Sequence, residues 1–206
     1  MKKLRGKQPK KDFQRKRPQR EAPEVVYILC EAEKTEPNYL NWVKHKNRLS
    51  SVTIKSGKTC GKDPKNLVRA GIKLRSESSK IWLVFDCDER GDFKDDLKTA
   101  DVKKLKVAYS NPCIELWFLL HFEYSTASLK VDEAIKRLQD YIPNYEKNKI
   151  DYIDKLDGRE ETAFENAKML RNHQNDIGNN ESDNPSTTMD KLIQLLISLK
   201  HDTTST

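Results

Sequence analysis

The chain has 206 residues, 35% of them hydrophobic and 34% charged, with a formal net charge of +7. That length fits one domain with appendages and leaves little room for a second large one. No apolar stretch approaches the roughly 18 residues of a membrane span, so membrane insertion is not expected, and the longest candidate, CIELWFLL, carries Glu115.

The first twenty residues hold ten Lys or Arg against one acid, Asp12, for +9, so the rest of the chain sums to about −2. Residues 1–22 therefore read as a basic tail with too little apolar content to offset its ordering entropy, disordered when free. Such a tail binds phosphate backbones or acidic protein surfaces, or merely solubilises. No hydrophobic segment follows the positive charges, which argues against a secretory signal and for a cytoplasmic setting. The four cysteines show neither CxxC pairing nor zinc-finger spacing and read as reduced thiols.

The first element, VVYILC (25–30), is a short β-branched run expected of a strand buried on both faces. EAEKTEPNYLNWVKHK follows, with Thr35 placed to cap a helix and Pro37 in its first turn. VTIK (52–55) reads as a strand, GKTCGKD as a loop, and PKNLVRAGIKLRS as a helix starting at Pro64. KIWLVFDCDE (80–89) is the second strongly apolar strand; a polar helix at about 94–104 and a strand at 105–110 come next. Asn111 is a candidate N-cap, with Pro112 at the first position of the helix that follows. Beyond residue 125 three segments fit helical periodicity and no further strand is evident. The expectation is an α/β domain over 23–206. Its core, about 23–125, is a mostly parallel sheet flanked by helices, and a helical C-terminal extension occupies about 126–200.

Acids gather at two strand ends: Glu31, Glu33 and Glu36 after the first, and Asp86, Asp88 and Glu89 after the other. In parallel α/β sheets ligands collect at the carboxyl ends of strands. Asp86 and Asp88 are two apart, so in extended backbone both project to one side. Adjacent carboxylates resist joint ionisation unless a cation lies between them, and Mg²⁺ takes carboxylates and waters while sharing positions with substrate phosphates. Glu31, Asp86 and Asp88 are accordingly candidate ligands for Mg²⁺ or Mn²⁺, with Glu36 for a second metal. Glu33 and Glu89 read as solvated neighbours. Glu115, in the first turn of a very apolar helix, is either a dipole-stabilising acid or a further member of the site. His121 on the same helix reads as packed. Lys34, Lys58, Lys62 and Arg90 lie where they could steady a phosphate.

The order strand-Glu, then strand-Asp-x-Asp, resembles the Toprim fold of topoisomerases, primases and overcoming-lysogenization-defect nucleases. More closely, ILCEAEKTEPNYL, WLVFDCDERGDF, SNPCIELWFLLHF and NPSTTMDKL resemble the RloB-like family, Toprim-related proteins associated with bacterial restriction and phage-defence loci. The resemblance spans about residues 25–195 and departs at Ala32, where a glycine is usual after the Toprim glutamate. It implies a metal-dependent nuclease cleaving RNA or DNA in abortive infection, beside a separately encoded SMC- or ABC-like ATPase. The chain itself has no Walker GxxxxGK[ST]. A non-catalytic module binding nucleic acid or the ATPase is the competing reading. Tyrosine-dependent nicking ranks below both, and assembly into a homo-oligomer stays open.

Overall fold

A computed structural model describes residues 25–76, 79–87 and 91–202, the side chains of the last two excepted. The expected basic tail, Asp88, Glu89 and Arg90 lie outside the described residues.

Five strands form one sheet among the described residues: β1 (Val25–Cys30), β2 (Val52–Lys55), β3 (Ser79–Asp86), β4 (Lys106–Asn111) and β5 (Ser186–Thr187), in the order β2-β1-β3-β4-β5. The first four run parallel and β5 is antiparallel to β4. Among the described residues eight α-helices surround them: α1 (Thr35–Lys46), α2 (Gly57–Cys60), α3 (Pro64–Leu74), α4 (Phe93–Val102), α5 (Ile114–Leu119), α6 (Val131–Tyr141), α7 (Glu160–Asp176) and α8 (Met189–Asp202). None is long and apolar enough to cross a membrane. The α/β class and the mostly parallel sheet match the expectation.

The two apolar strands are buried on both faces because alternate residues serve two cores. Val26, Ile28, Cys30, Trp82, Val84 and Ala108 pack with α1, α5, α6, α7 and α8, whereas Leu29, Ile81, Leu83, Phe85 and Tyr109 pack with α3 and α4. The first core runs on without a break into Leu138, Leu170 and Leu196, so the helices beyond residue 125 complete one face of the sheet.

Four local expectations change. A further strand does exist: β5, only two residues long, hydrogen-bonds the edge of β4, and Thr187 Oγ1 donates to Tyr109 O at 2.7 Å. Two polar residues leave no alternating apolar pattern to detect. GKTCGKD is not all loop, since α2 occupies its first four residues. Thr35 is the first residue of α1 and makes no cap; its hydroxyl instead accepts from the N–H of Asn148 at 3.2 Å. Asn111 ends β4, its side-chain amide donating to Ser182 O at 2.9 Å, and α5 begins only at Ile114.

Candidate active site

The strand order reverses direction between β1 and β3, which lie side by side. Such a switch point leaves a crevice at the carboxyl edge of a parallel sheet. Glu31 follows the last residue of β1 and Asp86 is the last residue of β3, so both flank that crevice. The Glu31 N–H still donates to Val84 O at 2.9 Å, which extends the β1–β3 ladder to the candidate ligand itself.

The backbone around Glu31 is held from the far side by α2. Gly57 N–H donates to Ala32 O at 3.0 Å. A Cβ at Gly57 would lie 1.9 Å from Glu31 O, so only glycine permits this approach. Glu33 is exposed and pairs with Lys62 at 2.6 Å; that hydrogen bond, with the lysine charge, holds its carboxyl below the usual range.

Asp86 is buried at 8% exposure, and its Oδ2 accepts the N–H of Ile114, the first residue of α5, at 3.0 Å. A side chain from the neighbouring strand therefore does what a local cap does elsewhere. Glu36, in the first turn of α1, is buried beside Cys30. Burial, and then the Glu36 charge, pushes the Cys30 thiol well above its ordinary value.

Glu115 is fully buried. Its Oε1 accepts from the Tyr145 hydroxyl at 2.7 Å, Lys147 Nζ lies 3.8 Å away, and Oε2 has no hydrogen-bond partner. Burial and the Glu115 charge raise the Tyr145 and Tyr152 hydroxyls and the Cys113 thiol, so all three stay protonated at neutral pH. Glu36 also acts on Tyr152, and Asp86 on Cys113. These effects trace a row of buried acids, Glu36, Glu115 and Asp86, along the carboxyl edge. A cavity of about 560 Å³, lined by Tyr145, Tyr152, Lys149 and Lys155 among others, opens beside Glu115's two tyrosine neighbours.

Among the described residues no group of three or more His, Cys, Asp or Glu is close enough to share an ion. In kind the donors suit a hard divalent cation, because they are all carboxylate oxygens. The structure thus brings Glu31, Glu36, Asp86 and Glu115 to one edge without gathering three of them at a point. His121 is not part of the row. It is buried against Trp117, its Nδ1 is 2.9 Å from Trp117 O, and burial lowers its pKa to about 4.

Tyr145, Lys147 and Tyr152 had no sequence signal, since they lie in a polar segment without periodicity. Gly57 was visible only as part of a glycine-containing loop.

No curated protein and no solved structure matches the chain. The sequence profile of the RloB-like protein family does match it, over residues 26–196. That stretch includes both strand-end acids, the helix carrying Glu115 and the strand β5 that closes the sheet. The chain belongs to the RloB-like family.

Proposed function

We propose that the protein is a metal-dependent nuclease of Toprim type that cleaves RNA or DNA phosphodiesters in the cytoplasm, as the effector of an anti-phage, abortive-infection system. The observation that carries this reading is the placement of Glu31 and Asp86 at the carboxyl ends of adjacent parallel strands, beside the switch point. Glu31, Asp86 and Asp88 would hold Mg²⁺ or Mn²⁺, with Glu36 available to a second ion. Such an ion supplies a water or hydroxyl of lowered pKa and neutralises charge on the leaving oxygen. The chain's own contribution is to fix the ligands: the β1–β3 ladder aligns Glu31, and the Ile114 N–H orients one oxygen of Asp86. Glu115, within the row, accepts from the Tyr145 hydroxyl at 2.7 Å and so ties the carboxyl edge to the segment that carries Tyr145. A separately encoded SMC- or ABC-like ATPase is the proposed partner.

The test incubates the purified chain, alone and with any ATPase encoded beside it, with Mg²⁺ or Mn²⁺ and a panel of RNA and DNA. Metal-dependent cleavage that disappears in Asp86→Asn is the expected result. No cleavage under any of these conditions, or equal cleavage by the variant, overturns the reading.

The hydrogen bonds of Asp86 to Ile114 and of Glu115 to Tyr145 give both acids structural tasks, which favours a second reading as a non-catalytic module binding nucleic acid or the ATPase. Calorimetric titration with Mn²⁺ separates the two, because the module has no need of an ion at its carboxyl edge.

A further inference from the structure

The segment from β2 through α3 to the residue after it, residues 52–75, carries seven Lys or Arg and a single acid, Asp63. Residues 21–206 as a whole sum to about −2, so this basic lobe stands against a body of opposite sign. It is also structurally ordered. Lys65, Arg69 and Lys73 recur every four residues on α3 and form one stripe, with about 6 Å of helix rise between neighbours. A groove of about 390 Å³ between the end of β2 and α3 is lined by Lys55, Arg69 and Lys73, with Thr59 and Asn66 as neutral polar groups.

These cations are largely unneutralised. Lys62 pairs with Glu33 at 2.6 Å and Lys65 lies 3.9 Å from Asp92. Among the described residues no carboxylate pairs with Lys55, Lys58, Arg69 or Lys73, and Arg69 Nη1 reaches only the neutral Asn66 Oδ1 at 3.3 Å. The lobe is bonded to the candidate site, through Gly57 N–H to Ala32 O at 3.0 Å and Cys60 Sγ to Cys30 O at 3.5 Å. Its cations therefore hold a fixed position relative to Glu31.

We propose that this groove is a track for a nucleic-acid backbone, in which Lys55, Arg69 and Lys73 contact successive phosphates and lead the strand to the Glu31–Asp86 edge. The destination rests on the nuclease reading, whereas the binding does not. Recognition is of phosphate, with no contact to base edges, so the track accepts many sequences and its affinity depends steeply on salt.

The test compares the full chain with two doubly substituted variants of equal net charge: Arg69→Gln with Lys73→Gln in the lobe, and Lys136→Gln with Lys168→Gln on exposed positions of α6 and α7. Binding of fluorescently labelled single-stranded RNA and DNA is followed by anisotropy in EDTA across a salt series. The lobe variant is expected to bind on the order of tenfold more weakly at moderate salt. Its log–log salt slope should be shallower by about 1.4, the share of two phosphate contacts on a single strand. The control variant should keep the wild-type slope. If the lobe variant keeps the wild-type slope, or both variants lose affinity equally, the track is overturned, and a docking role toward an acidic protein takes its place. Because EDTA removes the need for metal chemistry, the two readings fail separately. A lost slope with no cleavage anywhere keeps the track and sinks the nuclease, whereas an unchanged slope with Asp86-dependent cleavage does the reverse.

Discussion

Asp86 Oδ2 accepts the backbone N–H of Ile114 at 3.0 Å, so a residue that ends β3 also sets the start of α5. Substitution here therefore tests two things at once, and the choice of replacement decides which. Asp86→Asn retains an oxygen acceptor and should unfold in urea within about 1 kcal/mol of wild type while losing the proposed cleavage. Asp86→Ala also strands the Ile114 N–H and should cost about 1–3 kcal/mol in addition to activity. Parallel urea titrations and cleavage assays on both variants check this; equal stability of the two would remove the capping role.

Gly57→Ala should damage the site from a residue that ligates nothing. The new Cβ would sit 1.9 Å from Glu31 O, and either α2 or the Glu31 backbone must move. A loss of about 1–3 kcal/mol in thermal or urea unfolding, with weaker Mn²⁺ binding by calorimetry, is the expected outcome. Gly91→Ala, where nothing lies within 4 Å, is the matched control and should stay within about 0.5 kcal/mol of wild type.

His121 makes stability depend on acid. Burial lowers its folded pKa to about 4, below the unfolded value near 6.5. Between those values the unfolded chain binds the proton and the folded chain does not, so stability falls as pH drops from about 6.5 to about 4. The effect is fully present by the lower limit and is of the order of 3 kcal/mol. Melting curves at pH 7 and pH 4.5 should show the drop in wild type and a smaller one in His121→Gln.

Arg171 and Asp190 form a buried two-point pair between α7 and α8, at 2.8 and 2.7 Å. Asp190→Ala leaves the guanidinium buried without its main partner, although Glu181 remains 3.1 Å from Nε. A loss near the lower end of the 3–5 kcal/mol typical of broken buried pairs, about 3 kcal/mol, is expected in urea unfolding. Replacing both residues with apolar ones of similar volume should recover much of it.

The strands that could be read in the sequence are those whose burial is written locally. VVYILC and IWLVF are apolar at nearly every position because each strand serves two cores, and their position also placed Glu31 and Asp86 at strand ends. What escaped is held by partners distant in the chain. Asn111 looks like a cap, but the cap on α5 comes from Asp86, 28 positions before the Ile114 whose N–H it accepts. Ser186 and Thr187 form a strand only because β4 offers an edge. Tyr145 gains meaning through Glu115, 30 positions away. Local periodicity carries no trace of such pairings, and Asp88 lies outside the described residues.

β5 has a temporal consequence. Until residue 187 is available, β4 has a neighbour on one side only, and its outer edge stays open to any other extended segment. The β3–β4 junction that seats Asp86 therefore reaches its final surroundings late in synthesis, after the segment bearing Arg171 has been made. A chain interrupted before that point would carry every candidate ligand yet leave the sheet unsealed beside them.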